Sequence, residues 1–398
     1  MPDTGRRGHP ALAALERGLA QHAADGLARA RRVVESPQGS RIRIAERTLL
    51  AFASNDYLGL ANAPAIVEAV REGAARFGVG AGASHLIVGH AAPHEALEDE
   101  LAAFVAPCAN ARAVTFSSGY LANLAILGAL ATRGDVVFAD RLNHASLTDA
   151  AVLSRAKLNR YAHGDLPALE RALRTVTGRQ RFIVTDAVFS MDGDVAPLPE
   201  LLDIAERDDA WLVLDDAHGF GVTGGGRGTL AHFGLRSDRI VYMATLGKAA
   251  GVAGAFVAAH PTVIETLVQK ARPYIYTTAA PPLLAVALRA ALRSIRDDTH
   301  RRAHLDQLIA AFRRAAADLP WRLLPSSTPI QPLVIGGALE AVAVSDALQA
   351  RGILVPAIRP PTVPTGTARL RISLSASHSV ADVAELTRAL RNVATALQ

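Results

Sequence analysis

Five short apolar runs, separated by helical patterns, constrain this chain more than any other feature of its 398 residues. They span residues 113–116, 135–139, 181–188, 211–214 and 239–244. The runs are largely continuous rather than alternating, which is the pattern of strands buried on both faces. Helical periodicity at residues 94–104 and 199–208 supplies covering layers. Pro199 suits a first helical turn, where its missing N–H is not needed. This alternation predicts an α/β fold with a mostly parallel sheet.

The pattern changes on either side. Residues 11–35 read as an amphipathic, Arg-rich helix, broken by Ser36-Pro37-Gln38-Gly39-Ser40. A short strand pair follows at 41–44 and 48–53. After Pro281-Pro282 a long helical stretch runs to about residue 317, then short strands at 331–335 and 368–374 and helices at 341–350 and 380–397. That is an α+β arrangement. Three parts are expected: an N-terminal helix and arm (1–53), a large ligand-binding domain (54–290) and a smaller α+β C-terminal domain (291–398). No internal repeat is visible. Half the residues are hydrophobic and 20% are charged, enough for a large core and against disorder.

The net charge is +5, and of 42 basic residues only Lys157, Lys248 and Lys270 are lysines. Arginine forks match phosphate and carboxylate, so anionic substrates fit this balance. Nucleic-acid binding would need a basic stripe with aromatic platforms, whereas these arginines are scattered and aromatics make up 5%. The single cysteine, Cys108, excludes an internal disulfide and a cysteine-based zinc site, and fits a reducing cytoplasm. No metal is expected. Residues 1–10 lack an apolar core, so no secretory signal is expected. The longest apolar helical run, 121–131, is too short for a bilayer, which needs about 20 residues.

Candidate chemistry sits where the strands end. Gly219-x-Gly221-x-x-Gly224 matches a dinucleotide fingerprint, but Gly225-Gly226-Arg227-Gly228 follows, and the fingerprint needs a helix to start there. A loop beside a site is the better reading. The strand before it ends in Asp215-Asp216-Ala217-His218, and ligands bind at the carboxyl ends of strands in open α/β sheets. The next strand ends in Thr245-Leu246-Gly247-Lys248. A lysine there is open to desolvation, which lowers its pKa and makes it nucleophilic. Lys157 and Lys270 read as surface residues. Ser117-Ser118-Gly119 precedes a helix starting at Tyr120 and offers a helix N-terminus to a phosphate. His144 and Ser190 follow two further strands, and the imidazole is placed to stack on a flat ring. A lysine, an Asp-x-x-His, a phosphate cradle and a stacking imidazole together suit pyridoxal 5′-phosphate (PLP), whose ring acts as an electron sink when its nitrogen stays protonated.

Over nearly its full length the chain resembles the α-oxoamine synthases. The likeness rests on Ala53-Ser-Asn-Asp-Tyr-Leu-Gly-Leu60, Asp140-Arg-Leu-Asn-His-Ala-Ser146, Val188-Phe-Ser-Met-Asp-Gly-Asp194, Asp215-Asp-Ala-His-Gly219, Thr245-Leu-Gly-Lys248, Ile358-Arg-Pro-Pro-Thr-Val-Pro364 and Gly366-Thr-Ala-Arg-Leu-Arg-Ile-Ser373. It implies a fold-type I PLP-dependent transferase, acting as a cytoplasmic homodimer with active sites at the subunit interface. Thr277-Thr278 would then reach the neighbouring subunit's cofactor phosphate. The implied roles are Lys248 as Schiff-base lysine and acid/base, Asp215 as partner of the pyridine nitrogen, and His144 against the ring. Ser190 and His218 would contact the phenolic side, and Gly119, Tyr120 and Thr245 would hold the cofactor and its phosphate. Arg371 would take the amino-acid carboxylate and Thr362 the acyl substrate. An N-terminal arginine would also touch the acyl group; Arg29 is chosen, with Arg31 and Arg32 close by. Residues 358–364 and Ile330-Gln-Pro-Leu333 lean toward the biotin-pathway branch, hence L-alanine and a pimeloyl thioester on coenzyme A or acyl carrier protein. The nearest alternative is glycine with acetyl-CoA; aminolevulinate synthase and serine palmitoyltransferase share the frame. A non-catalytic subunit would be expected to lack the lysine. One departure is Ala249-Ala250-Gly251, where the branch often carries Gly and an aromatic.

Overall fold

The computed structural model describes residues 9–25 and 27–397. Strands β1 (Arg41–Ile44) and β2 (Arg47–Ala51) form an antiparallel hairpin. Its two turn residues, Ala45 and Glu46, have φ of 47° and 63°, the handedness that a two-residue hairpin turn requires. Then come β3 (Arg112–Phe116), β4 (Val136–Asp140), β5 (Lys157–Tyr161), β6 (Arg181–Asp186), β7 (Ala210–Asp215), β8 (Ile240–Thr245) and β9 (Ala255–Ala259). These seven make one sheet in the order β3-β9-β8-β7-β6-β4-β5. Strand β9 runs against both neighbours, and the other six share one direction. The expected mostly parallel α/β sheet is what forms.

Burial on both faces explains the continuous apolar runs. Phe138, Ile183, Leu212 and Tyr242 pack on one face, and Val137, Phe182, Val213 and Met243 on the other. All eight are buried. Each large apolar side chain so buried contributes roughly 1.5–3 kcal/mol.

The last part holds β10 (Arg322–Leu323), β11 (Ile330–Gly336), β12 (Ile353–Leu354), β13 (Ala357–Ile358) and β14 (Ala368–Ser373). Four of them form an antiparallel sheet, β10-β11-β14-β13, while β12 joins the N-terminal hairpin alongside β2. Ser373 N–H donates to the Phe52 carbonyl, so the hairpin's exit strand is tied to β14.

Several expectations need correction. The N-terminal helix is Pro10–Ala24, not 11–35, and residues 27–35 have no regular structure. No residue of that helix is buried, so only local propensity holds it, and this is weak over so short a length. The long helix after Pro281 is two, Pro282–Asp297 and Thr299–Ala315, because Asp298 turns out of the first and caps the second at Arg301 N–H. Strand β5 went unread because Lys-Leu-Asn-Arg-Tyr is polar, as suits a sheet edge. Strand β9 went unread because its Ala-rich run lacks a strand signature.

Candidate active site

Strands β4, β6, β7 and β8 bring Asp140, Asp186, Asp215 and Thr245 to one edge of the sheet. The loops leaving that edge carry His144, Ser190, His218 and Lys248. Lys248 Nζ lies 2.9 Å from His218 Nε2, and His218 Nδ1 lies 2.7 Å from the Tyr57 hydroxyl. Tyr57 in turn donates to Asn55 Oδ1 at 3.1 Å. Burial, then the charge on Lys248, hold His218 well below the ordinary imidazole range, so it is a neutral relay. Burial also pulls the Lys248 amine down to about 8, against the opposing pull of Asp215 and Asp186. Lys157 and Lys270 are exposed.

A second network surrounds Asp215. Its Oδ2 accepts from Asn123 Nδ2 at 2.8 Å and its Oδ1 from Ala217 N–H at 3.0 Å. Asn123 Nδ2 also donates to Ser146 Oγ at 2.8 Å, and Ser146 Oγ lies 2.7 Å from His144 Nδ1. The His144 ring is exposed, while its backbone N–H is fixed by Asp186 Oδ2 at 3.0 Å. Asp186 sits in register with Asp215 across β6 and β7. Burial, then the charge of Asp215, push Asp186 well above the carboxylate range. Asp216 faces elsewhere: it accepts from Thr229 N–H and hydroxyl and from the Tyr242 hydroxyl at 2.9 Å.

The helix Gly119–Leu130 begins beside β3. Ser118 Oγ caps it at Leu121 N–H, and the N–H groups of Gly119 and Tyr120 have no acceptor among the described residues. A side chain at 119 would come within 2.6 Å of Thr245 Cγ2, so only glycine lets this helix start meet the end of β8. The Tyr120 hydroxyl donates to Asp149. Open N–H donors at a helix start, a half-buried amine of lowered pKa and a strand-end carboxylate suit phosphate, aldehyde and pyridine nitrogen respectively. Asn123 Oδ1 is a buried oxygen without a partner among the described residues, one further polar atom in the same place. The residues therefore fit PLP. The glycine-rich loop is a packing device: Gly221 has φ of 82°, and a Cβ there would lie 2.6 Å from that of Ala249, the residue after the lysine.

Arg371, on β14, is buried and reaches the same edge. It donates to the Ser190 carbonyl at 2.5 Å, Ser373 Oγ at 2.8 Å and Asn55 Oδ1 at 3.2 Å. A cavity of about 600 Å³ opens beside it, lined by His144, Ser190, Asp192, Thr362 and Arg369 among others. Arg29 lies on the N-terminal segment next to Ala28, whose carbonyl accepts from Arg359 at 2.8 Å. That bond joins the N-terminal segment to the turn carrying Thr362.

Sequence reasoning missed Asn123, Ser146 and Asp186, and His163. Asn123 had a signal, as the one polar side chain between Tyr120 and Leu130 in an apolar helix. His163 lies 3.1 Å from Asp140 Oδ2 and 2.9 Å from Asp194 Oδ2, edge-on to Phe189. It ties the end of β4 to the loop bearing Ser190. Its bonds to Asp140 and then Asp194 raise it from 6.5 to about 10. A folded pKa above the unfolded one gives stability that is full below about 6.5 and fades as pH rises toward about 10. Thermal unfolding of His163→Gln against the unsubstituted protein should show the largest loss near pH 6 and a much smaller one near pH 10. A loss independent of pH would refute the ionic bridge.

Comparison with known proteins adds to this geometry. The family model for class I and II aminotransferases matches residues 47–390. The 8-amino-7-oxononanoate synthase of Nitrosospira multiformis is 59% identical over 368 residues, covering 92% of each chain. Serine palmitoyltransferase from S. paucimobilis, solved with a PLP–myriocin adduct bound, superposes with a TM-score of 0.90 at 26% identity, over 97% of this chain and 98% of that one. The 8-amino-7-oxononanoate synthase of Francisella tularensis gives 0.75 at 32% identity, over 88% and 98%.

Proposed function

The chain belongs to the class I and II aminotransferase family and, within it, to the 8-amino-7-oxononanoate synthases, and on that premise we propose that it joins L-alanine to a pimeloyl thioester. PLP is its cofactor. The products are 8-amino-7-oxononanoate, CO₂ and the free thiol. One observation carries the reading: a lysine amine, a carboxylate and a buried guanidinium, those of Lys248, Asp215 and Arg371, converge on one edge of the sheet.

PLP, when bound, supplies an aldehyde for the amine and a protonated ring that takes up the electron pair left at Cα. Asp215 holds the proton at the pyridine nitrogen, and Asn123 and Ala217 N–H fix that carboxylate in place. The His144 ring provides a flat face, locked by Ser146 and Asp186. The N–H groups of Gly119 and Tyr120, with Thr245, receive the phosphate. Arg371 takes the alanine carboxylate. The Lys248 amine removes the Cα proton and later returns one, with His218 and Tyr57 setting its position. The acyl chain enters the cavity lined by Thr362 and runs toward the N-terminal segment that carries Arg29. Cα bonds to the thioester carbonyl carbon, the thiol departs, and the carboxyl leaves as CO₂.

The same reading makes the protein a cytoplasmic homodimer with the acyl group on coenzyme A or acyl carrier protein. Among the described residues no helix is long and apolar enough to cross a membrane. Leu86, Ile87 and Val88 are 47, 74 and 79% exposed, an apolar tip that a second copy would cover. Sedimentation equilibrium checks this, and an active monomer would contradict it.

Thiol release from a panel of amino acids and acyl thioesters tests the substrates. L-alanine with a pimeloyl thioester should be the fastest pair. One methyl is worth only about 1–3 kcal/mol of discrimination, so slower turnover of glycine is expected as well. Faster release from acetyl-CoA with glycine would move the protein to the glycine and acetyl-CoA branch.

A further inference from the structure

The turn before the helix Ala92–Val105 and the first turn of that helix bring together three histidines that take no part in the Lys248 and Asp215 hydrogen-bond networks. His85 opens a single π-helical turn, His85–Gly89, a rare element that often marks functional positions. His85 and His94 are buried and His90 is half-buried. The ring centroids of His85 and His90, His85 and His94, and His90 and His94 are 5.1, 5.2 and 5.5 Å apart. A zinc-bound imidazole nitrogen lies about 2.0–2.1 Å from the metal, which puts the ring centroid about 3.2 Å away, and two such rings at a tetrahedral angle stand about 5.2 Å apart. The three rings already have that spacing.

The outer contacts select the nitrogens. His90 Nε2 pairs with Glu95 Oε2 at 2.9 Å, and His94 Nε2 donates to the Ala280 carbonyl at 2.9 Å. A ligating histidine characteristically spends its second nitrogen on a carboxylate or backbone carbonyl, which leaves Nδ1 for the metal. His85 Nδ1 and His90 Nδ1 already face each other at 2.8 Å. His94 Nδ1 accepts from Ala91 N–H at 3.0 Å. We propose that His85, His90 and His94 form a site for one divalent transition-metal ion of the zinc class, through their three Nδ1 atoms.

The ion replaces the proton shared by His85 and His90, and the Ala91 N–H at His94. Nitrogen donors without thiolate suit zinc, cobalt or nickel. The site would clamp the His85 turn to the segment Thr277–Pro281, which is already held by His94 to Ala280 and by Ala279 N–H to the Ala83 carbonyl at 3.0 Å. Its direct effect is therefore on the stability of this corner.

Chelator-treated holoenzyme titrated with ZnCl₂ in a calorimeter should bind one ion per chain. His90→Ala, which removes the least buried ligand, should bind at least ten-fold more weakly, and His300→Ala, an exposed histidine elsewhere, should match the unsubstituted protein. Cobalt(II) should give visible absorption of tetrahedral intensity that His90→Ala abolishes. Equal zinc affinity with and without His90, or cobalt bound with only weak octahedral absorption, would overturn the site. Substrate turnover is not the readout, so failure here leaves the proposed reaction untouched.

Discussion

Replacing Lys248 with alanine should cut thiol release from the pimeloyl thioester by on the order of 10³-fold or more, since in the proposed reaction one group supplies both the nucleophile and the acid/base. Geometry and charge support the size of the effect. The amine is held at 2.9 Å from a neutral imidazole, and burial keeps its pKa near 8, where an amine exchanges protons readily at working pH. Neither other lysine can stand in, because Lys157 lies on the edge strand β5 and Lys270 ends the helix Pro261–Lys270, both exposed. Two readouts separate chemistry from damage. Borohydride reduction and peptide mapping of the unsubstituted protein should place the pyridoxyl group on Lys248 alone. Added small primary amines should restore part of the variant's rate, which a merely structural lesion would not permit. A label on Lys157 or Lys270 would overturn the assignment.

What was legible in the sequence follows from how each residue is held. His144, Ser190, His218 and Lys248 could be read because each follows an apolar strand, and a strand buried on both faces fixes where its end lies. The glycine fingerprint could be rejected because Gly224–Gly226 makes only a short turn and the next helix, Thr229–Phe233, starts beyond Gly228. Asp186 could not be read: it differs from any strand-end aspartate only through its register with Asp215, which is a pairing across the sheet. The same holds for His163, whose two carboxylates come from Asp140 and Asp194, far apart in sequence. The histidines at 85, 90 and 94 are close in sequence, yet their convergence depends on a π turn that periodicity does not reveal. The helix at the N-terminus was overextended because amphipathic pattern alone says nothing about whether a partner surface exists. Its Leu12, Leu15 and Leu19 are all exposed.

Asp215→Asn should lower turnover by about 10²–10³-fold with little loss of stability, the scale seen when one preorganised electrostatic partner of a transition state is removed. The substitution keeps the shape and removes only the charge. The Ala217 N–H can still be accepted by the amide oxygen. The amide nitrogen would face Asn123 Nδ2, but Asn123 can turn its own amide over, because its Oδ1 has no other partner to lose. A relaxed polar network should therefore survive, and the melting temperature should move little. What should disappear is the negative charge proposed to hold a proton on the pyridine nitrogen, and with it the ring's capacity to accept electrons from Cα. Asp186 is a poor substitute, since burial, the largest cause that pushes it above the carboxylate range, persists in the variant. Asp216→Asn is the informative contrast. That carboxylate caps Thr229 and meets the Tyr242 hydroxyl, so its loss should cost about 1–2 kcal/mol of stability while leaving the rate near normal. Near-normal turnover in Asp215→Asn, with the large loss appearing in Asp216→Asn instead, would exchange the two roles and refute the charge partner proposed here.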